Sequence, residues 1–259
     1  MAGKGFVRFN LHNSLCCFPA SFEILKPMVD LNEQELRDCL SEIENIQSKR
    51  VEKLQAEYAE EIEKLKGKTV LFLGDSLTND NLGYRTSVSR AAELVSTNGA
   101  ISGGTSSMLL PLAKHLIEKK PEIVSLMIGA NDSISFDREE FNQVNAEEFA
   151  RNVGAMLGWA KQSGSKILLI EITPIVEDRF VRCFGGEGKL QSNAMIQRYN
   201  RVLKQIAELD GVSLHTHPRL SETKKIDLLY EEDGIHLNPN GQELLAERWL
   251  LTVSKLIKS

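Results

Sequence analysis

The stretch Thr69-Val70-Leu71-Phe72-Leu73-Gly74-Asp75-Ser76-Leu77 decides how the rest of the chain is read. An apolar run of this kind, closed at once by a glycine turn, has the pattern of a strand covered on both faces. Two further runs share that texture, EIVSLMI at 122–128 and KILLIEI at 166–172. Around them, 84–95, 105–119, 146–162, 191–209 and 239–257 read as amphipathic helices, and shorter strands are expected near 95–101 and 212–216. Strands that alternate with helices imply right-handed βαβ units. The expected fold is therefore α/β, a three-layer α/β/α sandwich around a mostly parallel five-stranded sheet. Ligands bind such a sheet beyond the carboxyl ends of its strands, so functional residues are sought in the turns that follow strands.

Upstream the texture changes near Gly67. From Asp30 to Lys66 there is no Pro or Gly, and Leu36, Leu40, Ile43, Val51, Leu54, Tyr58, Ile62 and Leu65 recur at spacings of three and four. That is one apolar stripe on a long helix, over about 30–66, with Asp30 as cap, Glu33 three residues on, and Gly67 as stop. Gln47 and Arg50 interrupt the stripe between Ile43 and Val51, which weakens a continuous heptad. Packing on the chain's own body is the favoured use of this helix, and a homodimer paired through it is the alternative. The chain divides accordingly into an N-terminal extension, 1–66, and a main domain, 67–259. The first thirty residues carry aromatic and Cys residues without period, and no element is assigned to them.

A 42% hydrophobic and 26% charged composition is that of an ordinary globular protein. No run reaches the roughly 20 apolar residues of a membrane-spanning helix. Asn13, Ser14, Pro19 and Ser21 break the apolar start, which argues against a secretory leader. A net charge of −5 leaves no basic footprint for nucleic acid. Cys16, Cys17, Cys39 and Cys183 form no CxxC pair, which fits reduced thiols and a cytoplasmic location. His215 and His217 stand at alternate positions of an expected strand, but no third ligand is near and Pro218 ends the segment, so a structural role is expected. His115 falls on an expected helix as a surface or boundary residue.

Four segments carry chemistry. Ser76 follows the first strand directly, where a nucleophile is useful and where a helix cap is equally at home. Asp233 and His236 lie three residues apart in a tight turn, spaced so that a carboxylate can orient an imidazole base; a surface loop is the alternative. Gly103 and Asn131 can supply an amide and a side-chain donor to a developing oxyanion; a turn before a helix and an Asx turn are their alternatives.

Taken together in this order, the four segments resemble the blocks of the SGNH, or GDSL, hydrolases. Gly74-Asp75-Ser76-Leu77 matches the first block, Ile101-Ser102-Gly103 the second, Gly129-Ala130-Asn131-Asp132 the third and Asp233-Gly234-Ile235-His236 the fifth. The likeness runs from about Thr69 to Ser259 and is nearest the small esterase, thioesterase and lysophospholipase branch. It implies a flavodoxin-like sandwich, no metal and no cofactor. It further implies Ser76 as nucleophile, His236 as base, Asp233 as its orienter, and an oxyanion hole from the amides of Ser76 and Gly103 and the side chain of Asn131. Gly104 competes with Gly103 for that place, and Asp75 and Asp132 are expected to order loops.

The chain departs from the compact family form in its N-terminal helix and in the segment 178–192. That segment carries Phe180, Arg182, Phe184 and Gly185-Gly186-Glu187-Gly188, and it is expected as a loop on the active face, covering a pocket or lying free in solvent. Its glycines lack the Lys-Ser/Thr of a phosphate cradle. The implied activity is hydrolysis of small carboxylic esters or thioesters through an acyl-enzyme. Acyl transfer to a sugar or alcohol, and assembly through the N-terminal helix, are the other readings.

Overall fold

The three apolar runs lie side by side at the centre of the sheet, because each has helices over both faces and no room for a charge. The computed structural model describes residues 7–9, 12–13, 18–19, 26, 29–137, 141–216 and 226–258. Its strands are β1 (Thr69–Gly74), β2 (Val95–Asn98), β3 (Ile123–Met127), β4 (Ser135–Phe136), β5 (Lys166–Ile170), β6 (Lys189–Leu190) and β7 (Ser213–His215). Its helices are α1 (Glu33–Glu57), α2 (Ala59–Leu65), α3 (Ser76–Asn79), α4 (Tyr84–Ala91), α5 (Ser106–Ile117), α6 (Ala146–Gln162), α7 (Glu177–Phe184), α8 (Asn193–Asp210) and α9 (Pro239–Lys258).

Five strands form one all-parallel sheet in the order β2-β1-β3-β5-β7, as expected from the sequence. That order is flavodoxin-like, and the chain reverses direction across the sheet between β1 and β3, which opens a crevice at their carboxyl ends. Helices α4 and α9 cover one face: Phe72 of β1 meets Tyr84 and Trp249, with ring centroids 6.0 and 5.4 Å apart. Helices α5, α6 and α8 pack together in the layer on the other face. Ser125, the one polar residue inside β3, accepts the indole N–H of Trp249 at 3.0 Å and so keeps the buried tryptophan satisfied.

The N-terminal helix packs on the body of its own chain. Leu54, Ile62 and Leu65 join the main core, and Leu36, Cys39 and Ile43 close a second cluster with Val7 and Leu82. The polar interruption of the stripe has a physical reason. Gln47 and Arg50 are buried, and Gln47 donates to the Asn81 carbonyl at 2.5 Å. Arg50 donates to Leu82 O at 2.5 Å, to Ser87 Oγ at 3.0 Å and to Pro239 O at 2.9 Å. These side chains donate to backbone carbonyls of the loop after α3 and the start of α9, and their own buried terminal N–H groups gain partners there. The face available for pairing with a second copy is thus already occupied.

Two details of this helix differ from the sequence reading. Its cap is Asn32, not Asp30: Asn32 Oδ1 accepts from Glu35 N at 3.0 Å while Glu35 accepts from Asn32 N at 2.8 Å, a reciprocal capping box. The helix also breaks at Tyr58 (φ −125°, ψ 33°), and the bend turns α2 so that Ile62 and Leu65 reach the same core as Leu54. Ahead of the helix, His12–Asn13 and Phe18–Pro19 form a short antiparallel bridge.

Candidate active site

The crevice beyond β1 and β3 is built on a glycine. A Cβ at Gly74 would meet Met127 O and Thr78 Oγ1, each at 2.4 Å, so only glycine lets β1 turn this close to β3. Asp75 then caps α3, accepting from Leu77 N at 3.0 Å, and Ser76 becomes the first residue of that helix. The turn Asp233-Gly234-Ile235-His236 arrives from the far end of the chain. Gly234 has φ +75°, and a Cβ there would meet Val176 O at 2.5 Å.

Ser76 Oγ lies 2.8 Å from His236 Nε2, and His236 Nδ1 lies 2.6 Å from Asp233 Oδ2. The other oxygen of Asp233 accepts the amides of Ile235 and His236, both at 3.0 Å. Burial alone would raise the Asp233 pKa, but hydrogen bonding and charge from His236, with the two amides, outweigh it and hold the carboxyl below its ordinary value. An ionised Asp233 assigns the imidazole proton to Nδ1 and leaves Nε2 as acceptor for the Ser76 hydroxyl. Such a chain can draw a proton from an attacking serine.

Ser76, His236, Gly103 and Asn131 line one cavity of about 220 Å³, together with Phe9, Ile134, Phe180 and Phe184. Gly103 has φ +71°, and the space a Cβ would take there is open. Gly104 faces away: its amide donates to Ile101 O at 2.8 Å in a turn. One Asn131 Nδ2 hydrogen is used on Gly104 O at 3.0 Å, which fixes the orientation of the amide group. Asp132 is buried behind it and accepts the Ser106 amide at 3.0 Å, along with the Ser106 hydroxyl, tying the turn after β3 to the start of α5. Asp75 and Asp132 thus both organise loops.

These two buried carboxyls set a pH dependence. Burial pushes Asp75 up to about 7, against the amides of Leu77 and Ala130, and pushes Asp132 up to about 6, against donation from Ser106. Each keeps its proton in the folded chain at pH values where an unfolded aspartate, near about 3.9, has lost it. Folding then binds protons, and stability declines as pH rises from about 4 through 7, by at most about 1.4 kcal/mol per unit for each carboxyl. Asp233, with its lowered pKa, acts in the opposite sense and only as pH falls further. Urea midpoints are expected to drop between about pH 4.5 and 7.5. Asp75→Asn, which keeps an acceptor for Leu77 N, is expected to flatten that drop; an unchanged slope would contradict the assignment.

The segment 178–192 is not an irregular loop. Helix α7 and a 3-10 turn at Gly185–Glu187 lead into β6, which pairs antiparallel with β4. Pairing fixes the segment over the site, where Phe180, Phe184 and Lys189 line the cavity. His215 is buried with Nδ1 3.0 Å from Thr252 Oγ1, in keeping with a structural role, while His217 lies outside the described residues. His115 is exposed on α5. Among the described residues no group of three His, Cys, Asp or Glu side chains is arranged to hold a metal ion, and no helix is long and apolar enough to cross a membrane.

Two cavity-side residues had no signal in the sequence. The Phe9 ring packs against His236, tilted by 41° with centroids 4.5 Å apart, and Arg8 beside it binds Asp80. They come from the segment without period, more than 220 positions before His236, and nothing local marks them.

Residues 72–244 match the model of the GDSL-like lipase/acylhydrolase family. The chain is similar to the human isoamyl acetate-hydrolyzing esterase 1 homolog, 27% identical over 207 residues, covering 73% of this chain and 83% of that one. The bovine homolog is 26% identical with the same coverage. Among solved structures, a lipase/acylhydrolase from Enterococcus faecalis aligns with TM-score 0.60 at 20% identity, over 72% of this chain and 96% of that one. The structure of TesA aligns with TM-score 0.55 at 25% identity, over 73% and 99%. The family model spans most of the chain and contains the turn after β1, the turn after β3 and the Asp233–His236 turn: the protein belongs to the GDSL-like lipase/acylhydrolase family and is an ester-hydrolysing enzyme.

Proposed function

We propose that the protein hydrolyses small carboxylic esters or thioesters through a covalent acyl-enzyme on Ser76. The observation that carries this reading is the unbroken hydrogen-bonded chain from Ser76 Oγ through His236 to Asp233, at 2.8 and 2.6 Å, opening on a cavity that Gly103 and Asn131 also line. Ser76 Oγ attacks the acyl carbon as His236 Nε2 takes its proton, and Asp233 stabilises the imidazolium. The oxyanion forms beside the amides of Ser76 and Gly103 and the remaining Asn131 Nδ2 hydrogen. His236 then returns the proton to the leaving alcohol or thiol, and a water activated by the same imidazole releases the acid.

Small substrates are supported by the cavity, about 220 Å³ against the roughly 300–1,000 Å³ of pockets for drug-sized ligands. The name of the isoamyl acetate-hydrolyzing relatives points the same way. A cytoplasmic setting is supported by Cys183, an exposed free thiol.

The reading is tested on p-nitrophenyl acetate and thioacetate. Asn131→Ala removes one of three oxyanion donors and is expected to lower kcat roughly 100- to 1,000-fold with KM little changed. A fall in affinity with kcat intact would assign Asn131 to substrate binding instead.

A further inference from the structure

We propose that Arg8 and Phe9 belong to the working active site: Phe9 walls the acyl pocket beside His236 and limits the acyl chain it accepts, and Arg8 is a positioning residue that holds the loop of Ser76 to the loop of His236. The inference rests on the acyl-enzyme reading above and adds residues that the GDSL-like match, which begins at residue 72, does not contain.

Arg8 is a staple between two distant parts of the chain. Its Nε donates to Asp80 Oδ1 at 2.7 Å and its Nη2 to the same carboxylate, just past the end of α3. From the other side, Nη1 reaches Glu231 and Nη2 donates to Leu237 O at 2.8 Å. Asp80 follows Ser76 by four residues, and Glu231 and Leu237 bracket Asp233 and His236. One planar guanidinium therefore fixes the separation of nucleophile and base. Burial alone would lower the Arg8 pKa, but Asp80 and Glu231 raise it above the ordinary value, so the staple is charged at any working pH.

Phe9 reaches the third loop. Its carbonyl accepts from Asn79 Nδ2 at 2.6 Å and from Ser102 Oγ at 3.2 Å, and Ser102 adjoins Gly103. The three loops that carry Ser76, Gly103 and His236 thus converge on two consecutive residues. The Phe9 ring packs against the imidazole at a tilt of 41°, with centroids 4.5 Å apart, and lines the cavity. Ile134, Phe180, Phe184 and Ile235 line the same cavity, so the Phe9 ring forms part of an apolar wall, with Ser102 and Lys189 as polar lining beside the reacting groups.

The test uses the full chain and p-nitrophenyl acetate, butyrate and octanoate. Phe9→Ala is expected to raise the octanoate-to-acetate ratio of kcat/KM about tenfold or more, mostly through KM, because even one methylene more or less in an apolar pocket changes selectivity by about that much and this variant removes a whole ring. Phe9→Trp, whose larger ring fills more of the pocket, is expected to lower the ratio. Arg8→Ala is expected to reduce kcat about 100-fold for all three esters without moving the ratio, since a small misplacement of the reacting groups has that effect. Millimolar methylguanidinium is expected to restore part of that kcat. If Ser76→Ala is inactive and both Phe9 variants keep the wild-type ratio, or Arg8→Ala keeps its kcat, the inference fails while the acyl-enzyme reading stands. If Ser76→Ala keeps full activity, the reading itself fails and the inference with it.

Discussion

Ser76→Ala is expected to lower kcat for p-nitrophenyl acetate by about a million-fold, to the level set by substrate positioning and oxyanion donors alone. The size follows from the role. Without Oγ no acyl-enzyme forms, and His236 has no nucleophile to activate at 2.8 Å. Stability is expected to change little, because the hydroxyl makes one side-chain hydrogen bond, worth about 1 kcal/mol net. Steady-state kinetics beside a thermal melt separate the two effects. A variant with unaltered melting and a kcat within about tenfold of wild type would show that turnover does not pass through this serine.

The second large effect is on folding. A chain shortened to begin at Gly67 is expected to show no cooperative thermal transition, or to aggregate. It would lose Leu54 and Leu65, both fully buried in the main core. Each would cost about 2–5 kcal/mol if merely cut to alanine, against a total stability of about 5–15 kcal/mol for a domain. It would also lose Gln47 and Arg50 from the carbonyls of Asn81, Leu82 and Pro239, next to the helix that presents Ser76. Differential scanning calorimetry decides the matter. A reversible transition near that of the whole chain would show that α1 and α2 contribute little to the fold.

The sandwich was legible in the sequence because its signals are local. The run at 69–73 is bounded by charge on one side and Gly74 on the other, and β1 follows it to within one residue. Helix α6 occupies 146–162 as read, since Asn145 supplies its cap and Gly164 ends its periodicity. Asn32 and Asp30 both precede an acidic residue at the capping-box spacing, so sequence alone did not separate them. Within the site, the motif residues could be named because short turns hold each one: Gly74 before Ser76, Gly234 before His236. The segment 178–192 lies on the active face as its place after β5 implies, but its order has no local signal, because it depends in part on β4, more than fifty residues upstream, and a two-residue strand leaves no periodicity. Arg50 looked like a flaw in a stripe because its partners, Leu82 and Pro239, are remote in the chain. Phe9 and Arg8 are the extreme case, since their role exists only after the sheet has brought Asp80, Ser102 and Glu231 together.

The central claim is that Ser76 is the nucleophile, made reactive by His236 and Asp233. Its most direct test is intact-protein and peptide mass spectrometry after exposure to a small alkyl fluorophosphonate, which reacts with an activated serine and leaves a stable phosphonyl ester. One adduct per chain is expected, on the peptide that carries Ser76, with loss of that adduct in His236→Ala while the fold is retained. An unmodified Ser76 in active protein, or a stoichiometric adduct on another residue, would contradict it.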